Sequence, residues 1–128
     1  MRGLSLLSTA LIIIGISNTA ILFMESNCSN GVCRLSPFPF PEWVLPALAM
    51  VWFGMGFIIF YKNPSKIVKR IWQVLGVGAV AFLFPYSLYI HYYCIHCYID
   101  HMIGLALVAL SLKYETARLL SRHHRKVH

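Results

Sequence analysis

Four cysteines form two closely spaced pairs in this chain of 128 residues, Cys28/Cys33 and Cys94/Cys97. A thiolate attacks a disulfide through a mixed-disulfide intermediate, so two pairs that reach each other can exchange two electrons. The second pair is a Cys-x-x-Cys that leads directly into an apolar segment. The spacing therefore predicts thiol–disulfide exchange next to a hydrophobic phase.

The surroundings of each pair predict its behaviour. At a helix N-terminus, backbone N–H groups and the helix dipole stabilise a thiolate, which makes the Cys-x-x-Cys disulfide more oxidising. A protonated His96, between these two cysteines, adds to that effect. In the first pair, an Asn-Gly dipeptide between the cysteines favours a tight turn and hence a disulfide. A static disulfide that only closes this loop is the alternative interpretation.

Composition indicates a membrane protein. The chain is 59% hydrophobic and 12% charged, whereas soluble domains carry about 25% charged residues. The net charge of +7 is compatible with nucleic-acid binding, but the basic residues cluster at the ends of apolar segments. They form no stripe interleaved with aromatic residues, so we predict no nucleic-acid partner.

The apolar segments predict an all-α membrane protein, a four-transmembrane-helix bundle that forms one domain over residues 1–128. Between Arg2 and Glu25 lie 22 uncharged residues, and about 20 suffice to cross a bilayer. Backbone groups in lipid must be satisfied within each segment, which favours helices. The predicted spans are residues 4–24, 44–61, 71–89 and 94–114, and residues 25–43 form the outer loop.

The basic residues predict the orientation. Of the 11 Lys and Arg residues, all except Arg34 flank the same ends of the spans, and such ends face the cytoplasm. We therefore expect cytoplasmic termini in a multi-pass cell (plasma) membrane protein. Both cysteine pairs then face the extracytoplasmic side, where disulfides persist. A cleaved signal peptide is the rival interpretation of the first span, but no A-x-A-like site precedes Glu25.

Two ionisable residues follow the Cys-x-x-Cys on the fourth span. Asp100 and His101 lie three and four residues after Cys97, so all three can share one helix face. An ionisable group within a span is a functional hypothesis by default, here proton transfer to a carrier beside Cys97. The alternative is that both lie in the headgroup region, where charge is tolerated.

The order of the cysteines resembles the vitamin K epoxide reductase (VKOR) family and its microbial homologues. In that family a loop cysteine pair follows helix 1, and a Cys-x-x-Cys opens helix 4 of a four-helix bundle. The resemblance covers nearly the whole chain, and its specific motifs are the four cysteines. Two departures are the absence of a polar residue on helix 2 and His101 in the place where some members have a tyrosine. No fused thioredoxin-like domain is expected.

The resemblance implies an enzyme, a quinone-dependent thiol–disulfide oxidoreductase. It would take electrons from a separate thioredoxin-like (DsbA-like) protein on the outer side and pass them to a menaquinone- or ubiquinone-type quinone. The expected catalytic residues are Cys28, Cys33, Cys94 and Cys97. The expected quinone-contacting residues are Asp100, His101, Phe57 and Phe84, within mostly apolar walls. No metal is expected.

Two other interpretations remain open from the residues. One is an outward-facing copper- or zinc-binding membrane protein that uses the Cys-x-x-Cys and nearby histidines, since both residue types suit these metals. Its ligands would be Cys94, Cys97 and His101 with His91 or His96. That interpretation leaves the first cysteine pair without a role. The other is a tetraspan structural or assembly protein with static disulfides.

Overall fold

The computed structural model describes residues 2–27, 43–89, 91 and 94–126, with side chains for residues 6–24, 43–89, 91 and 94–117. It contains four helices, α1 (Arg2–Asn27), α2 (Val44–Lys62), α3 (Lys66–Tyr89) and α4 (Ile95–Lys126). Each helix includes a segment long and apolar enough to cross a membrane, and the described residues contain no strand. The predicted all-α fold with four membrane-spanning helices is confirmed.

Successive helices run antiparallel around the bundle. α1 packs against α2 and α4, and α3 packs against α4 and α2, so α1 and α3 occupy opposite corners. The end of the bundle where α4 begins is called here the cysteine end. The opposite end, which holds Lys62 and Lys66, is called the lysine end.

Close contacts between helices require small residues at specific positions. A Cβ atom at Gly15 on α1 would lie only 2.6 Å from the ring of Phe53 on α2. A Cβ atom at Gly56 would lie 3.1 Å from the ring of Trp72 on α3. Because small residues let helix backbones approach each other in lipid, these glycines set the spacing of the bundle.

Two tryptophans, called here the tryptophan pair, hold α2 to α3 in the middle of the bundle. The rings of Trp52 and Trp72 stack with centroids 4.4 Å apart and planes inclined by 7°. The indole N–H of Trp52 donates to the carbonyl oxygen of Trp72 at 3.1 Å, and the reverse bond measures 3.0 Å. A buried indole needs such a partner, so the reciprocal bonds fix both rings.

The turn between α2 and α3 follows from three residues. Asn63 adopts the left-handed conformation with φ 50°, which is a common helix C-cap. Pro64 cannot continue a helix, and the hydroxyl of Ser65 accepts the N–H of Val68 at 3.5 Å. α3 therefore begins at Lys66, five residues before the predicted apolar span. Charged residues can form the first turn of α3 because this turn precedes the apolar span and does not have to contact lipid tails.

The connection between α3 and α4 is short. α3 includes Pro85 and ends at Tyr89. His91 follows with φ 54° and donates its backbone N–H to the carbonyl oxygen of Leu88 at 3.2 Å. α4 then begins at Ile95 and extends to Lys126, beyond the predicted span, because a helix can continue with polar residues once it leaves the hydrocarbon.

Candidate functional site

Cys94 and Cys97 lie where the chain enters α4. The carbonyl oxygen of Cys94 accepts the backbone N–H of Tyr98 at 3.2 Å, so Cys94 immediately precedes the first turn. Its side chain is 4% exposed, and that of Cys97 is half-buried. The N–H groups of a first helical turn, together with the helix dipole, stabilise negative charge at this position. The location therefore favours a thiolate over a neutral thiol.

A single amide on α1 joins three groups around the cysteines. Asn18 is only 9% exposed. Its Nδ2 donates to the carbonyl oxygen of His96 at 2.8 Å and to Oδ1 of Asp100 at 2.9 Å. Its Oδ1 lies 2.7 Å from Nδ1 of His96. All these partners belong to the first turns of α4, so Asn18 holds α1 beside the Cys-x-x-Cys.

Thr19 adds a second contact from α1. Its hydroxyl oxygen is fully buried and lies 3.0 Å from Oδ2 of Asp100 and 2.7 Å from the carbonyl oxygen of Gly15. Both carboxylate oxygens of Asp100 are therefore bonded to α1. The residues Asn18, Thr19, His96 and Asp100 are called here the cysteine-end cluster. Interhelical hydrogen bonds in membranes contribute about 0.6 kcal/mol each on average.

The structure directs the carboxylate of Asp100 into this helix–helix contact. Asp100 and His96 are four residues apart on α4 and so lie on the same face. Asn18 bridges them through both atoms of its amide. Any contact of Asp100 with a quinone must therefore compete with its two bonds to α1.

His101 differs from Asp100 in its surroundings. Its side chain is half-buried, and Nδ1 is buried without a hydrogen-bond partner among the residues whose side chains are described. An unsatisfied buried polar atom costs about 1–3 kcal/mol. A ligand carbonyl or hydroxyl that bonded to this nitrogen would recover that free energy. His101 also lies one helical turn after Cys97, on the same face.

The two phenylalanines predicted to contact a quinone occupy different places. The ring of Phe84 on α3 meets the ring of Tyr98 edge-to-face, with centroids 5.7 Å apart. The hydroxyl of Tyr98 lies 3.4 Å from that of Ser87, one turn further along α3. Since Tyr98 follows Cys97 in the chain, Phe84 belongs to the cysteine end.

Phe57 lies toward the lysine end. Its ring stacks on that of Tyr61 with centroids 4.4 Å apart, in the last turns of α2. The ring of Trp52 lies close to Gly104 on α4. From the level of this contact, Phe57 is five residues toward the lysine end and Cys97 is seven residues toward the cysteine end. At 1.5 Å per residue, the axial separation of Phe57 and Cys97 is about 18 Å. Phe57 is therefore not part of the site around the cysteines.

The first cysteine pair, Cys28 and Cys33, lies outside the described residues, as does most of the predicted outer loop. Helix α1 itself is described to Asn27. Asn27 lies nine residues after Asn18, which corresponds to about 13 Å along the helix axis. The chain thus enters the loop well beyond the level at which α1 contacts His96.

The metal interpretation requires three or more ligands in one place. Among the residues whose side chains are described, no three His, Cys, Asp or Glu residues are grouped so that they could hold a metal ion. The candidate ligands Cys94, Cys97, His101, His91 and His96 all belong to this part of the chain.

Two members of the cysteine-end cluster were not identified from the sequence. Asn18 and Thr19 follow Ser17 and complete a run of three polar residues in the first span. Polar residues within a span usually bond to another helix, and this signal could have identified a buried face on α1. It could not have identified the partner, because α4 carries several polar residues in its first turns.

The fold and the site define a class of protein: a four-span membrane protein with a Cys-x-x-Cys at one helix terminus, next to a buried polar cluster. The chain is 30% identical over 116 residues to an uncharacterized protein of Archaeoglobus fulgidus (strain ATCC 49558), and this match covers 88% of the chain and 97% of that protein. The chain belongs to the same family as this archaeal protein. No family model matches the chain, and no solved structure matches it.

Proposed function

We propose that this protein is a quinone-coupled thiol oxidoreductase of the cell membrane, similar to the VKOR family. It accepts electrons from the thiols of a thioredoxin-like (DsbA-like) protein and passes them through two cysteine pairs to a quinone. The oxidised partner then introduces disulfides into exported proteins. The observation that carries the proposal is the contact of Asn18 with the first turns of α4, because it brings the helix that leads into Cys28 beside Cys94 and Cys97.

The reach of the loop supports a specific order of transfer. Asn27, the last described residue of α1, lies about 13 Å beyond Asn18 along the helix axis. Cys33 follows five residues later, and five residues span up to about 17 Å. Cys33 can therefore return to Cys94, while Cys28 receives the partner. This is the order that the resemblance implies.

Each step conserves electrons and protons. The partner's thiolate attacks Cys28 of the loop disulfide, and the partner's second thiol resolves the mixed disulfide, which leaves the loop pair reduced. Cys33 then attacks Cys94 of the second disulfide, and Cys28 resolves that intermediate. The resulting Cys94/Cys97 dithiol gives two electrons and two protons to the quinone, which becomes a quinol as the disulfide re-forms.

The quinone would bind at the cysteine end of the bundle. A quinone site needs mostly apolar walls and a few polar groups. Phe84 and Tyr98 supply aromatic surface next to Cys97, and Nδ1 of His101 is a buried nitrogen that a quinone oxygen could satisfy.

The charge distribution supports the orientation of the proposed enzyme. All Lys and Arg residues except Arg34 flank the lysine end or the chain termini that adjoin it, and such regions face the cytoplasm. The cysteine end then faces the extracytoplasmic compartment. A membrane-impermeant thiol reagent applied to intact cells should label reduced Cys28 and the half-buried Cys97 in single-cysteine variants. Protection of either one until the membrane is broken would contradict the proposed arrangement.

The decisive test is quinone reduction by a dithiol in protein purified in detergent. Cys97→Ala should reduce the rate by on the order of a thousandfold, because it removes the proposed attacking group. Ser111→Ala is the matched control, since Ser111 is a small buried residue of the same helix at the lysine end. Equal activity of Cys97→Ala and Ser111→Ala would reject the proposed function. Bound copper or zinc in stoichiometric amount, without quinone reduction, would favour the metal interpretation.

Trapping tests the route. In Cys28→Ala, Cys33 cannot be resolved by its partner and should accumulate as a disulfide with Cys94. The cross-link would be detected by proteolysis and mass spectrometry under non-reducing conditions. Accumulation of Cys33 joined to Cys97 instead would exclude Cys94 as the entry point of the second pair.

A further inference from the structure

The hydrogen bonds of Asn18 determine which of its amide atoms faces which partner. Its Nδ2 lies within bonding distance of the carbonyl oxygen of His96 and of Oδ1 of Asp100. A backbone carbonyl can only accept a hydrogen bond, so the NH₂ group must face it. The opposite amide orientation would place two acceptors against each other. The two N–H bonds of Asn18 are thus both directed to α4.

This orientation leaves the amide oxygen to face the imidazole. Oδ1 of Asn18 lies 2.7 Å from Nδ1 of His96, and an amide oxygen is only an acceptor. Nδ1 of His96 must therefore carry a hydrogen. In the neutral ring the other nitrogen, Nε2, then has the lone pair and is the proton acceptor. In this way α1 selects the tautomer of the histidine that separates the two cysteines.

We propose that Asn18 is a positioning residue for the Cys94/Cys97 pair, which acts by holding His96 as the Nδ1–H tautomer with Nε2 as proton acceptor. The effect of this tautomer on thiol chemistry rests on the proposed function. The contact between Asn18 and His96 does not depend on a quinone. The bond to Asn18 can be kept in both protonation states of His96, because Nδ1 carries a hydrogen in each of them.

The chemical step is a proton transfer that balances without any other reactant. His96 directly precedes Cys97 in the chain, and we place the proton transfer between these neighbours: the thiol gives its proton to Nε2 of His96, and the products are a thiolate and an imidazolium. No electrons move in this step. The thiolate then attacks its acceptor, and the imidazolium returns the proton when the product needs it. The imidazolium stabilises the thiolate and thereby favours the reduced form of the pair. The Cys94/Cys97 disulfide is then more oxidising.

The groups that face His96 favour this role. Asp100 lies on the same face of α4 as His96. Among the described side chains of α1, the amide of Asn18 and the hydroxyl of Thr19 bond to this part of α4, and both are uncharged. Asn18 holds both groups in place, because it bonds to each of them.

The tautomer can be measured directly in the wild-type protein. Protein labelled with ¹⁵N-histidine gives distinct nitrogen shifts for the two tautomers, and the signal of His96 is identified by its loss in His96→Gln. In its neutral form, the imidazole of His96 should be the Nδ1–H tautomer. The Nε2–H tautomer in this state would overturn the proposal. Asn18→Leu should abolish the preference, whereas Ser8→Ala, another buried polar residue of α1, should retain it.

The consequence is measured as the redox equilibrium of the Cys94/Cys97 pair with a reference dithiol, in a Cys28→Ala/Cys33→Ala background. Asn18→Leu should shift this equilibrium about tenfold toward the disulfide, which is ~30 mV for a two-electron couple. In a His96→Gln background, Asn18→Leu should cause no further shift, because Asn18 acts through the imidazole. An undiminished second shift would overturn the proposal.

The two hypotheses fail in different ways. If the tautomer and the redox equilibrium behave as expected but no quinone is reduced, the positioning role stands and the proposed function is wrong. If quinone is reduced and the Nδ1–H tautomer is absent, the proposed function stands and Asn18 has only a structural role. Ser8→Ala should leave the redox equilibrium unchanged, which excludes a general effect of polar substitutions in α1.

Discussion

Two buried polar clusters join α4 to its neighbours, one at each end of the bundle. At the cysteine end, Asn18 and Thr19 bond α1 to α4. At the lysine end, Nε2 of Gln73 on α3 donates to the hydroxyl of Ser111 on α4 at 2.6 Å. There Lys69 also bonds Asn63 and lies 4.0 Å from Glu115. Gln73, Ser111, Lys69, Asn63 and Glu115 are called here the lysine-end cluster.

The two clusters use the same kind of bond and differ in what else the bonded groups do. Asn18 and Gln73 are both buried amides, 9% and 5% exposed, that donate to a side chain of α4. Gln73 reaches a serine, which has no chemistry beyond its hydrogen bond in this place. Asn18 reaches a carboxylate and the histidine between two cysteines. The same kind of hydrogen bond therefore lies beside the Cys-x-x-Cys at the cysteine end and beside a serine at the lysine end.

The tryptophan pair lies between the two clusters and fixes their separation. Trp52 and Trp72 bond to each other's backbone and stack closely. Because neither ring can move without breaking its hydrogen bond and the ring stacking, this layer holds the axial positions of α2 and α3. Substitutions that disturb the pair should affect both ends of the bundle, whereas those within one cluster should remain local.

The largest expected effect is on stability and follows from this layer. The Cβ atom in Gly76→Ala would overlap the ring of Trp52, which cannot shift because it is bonded and stacked. We expect a loss of about 1–3 kcal/mol in the free energy of unfolding. Gly78→Ala, two residues along the same helix, meets nothing within 4 Å and should be neutral or stabilising by up to about 1 kcal/mol. SDS titration of both variants compares them, and equal losses would show that the tryptophan pair is not rigid.

The next effect concerns activity and compares the two amides directly. Asn18→Leu should lower the rate of dithiol-dependent quinone reduction at least about tenfold, or ~1.4 kcal/mol in the barrier. Gln73→Leu should leave this rate within about twofold, because the lysine-end cluster is remote from the cysteines. If Gln73→Leu reduces activity as strongly, the loss reflects general loosening of α4 rather than the surroundings of His96.

The fold could be predicted from the sequence more completely than the contacts within the candidate site. The all-α fold with four membrane-spanning helices follows from the length of the apolar segments, because lipid permits few alternatives, and it is confirmed. The register between helices does not follow, since a span that is apolar on nearly every side does not identify the face that packs. The partner of Asn18 depends on that register. Asp100 was therefore predicted next to a quinone, while the bonds of its carboxylate to α1 were not predicted.

A smaller effect on KM should distinguish the two phenylalanines that were both predicted from the sequence to contact a quinone. Phe57 and Phe84 are equally exposed, at 43% each, but Phe84 packs on Tyr98 beside Cys97 and Phe57 stacks on Tyr61. An aromatic contact contributes ~0.5–1.5 kcal/mol, so Phe84→Leu should raise KM for a short-chain quinone about two- to tenfold. Phe57→Leu should leave KM unchanged. Steady-state kinetics on both variants would contradict the cysteine-end location of the quinone if Phe57→Leu alone raised KM.

The smallest expected effect is the coupling within the lysine-end cluster. A double-mutant cycle of Gln73→Leu and Ser111→Ala isolates their shared bond, and membrane hydrogen bonds measured in this way average about 0.6 kcal/mol. The corresponding cycle of Asn18→Leu and Asp100→Leu should give a larger coupling, because Asp100 presents a carboxylate and bonds to charged groups are stronger. Each single variant is first checked by SDS titration for two-state unfolding. A coupling at Gln73 and Ser111 that equals or exceeds the one at Asn18 and Asp100 would mean that the charge of the carboxylate adds nothing to its bond with Asn18. Asp100 would then bond to Asn18 no more strongly than a neutral acceptor does.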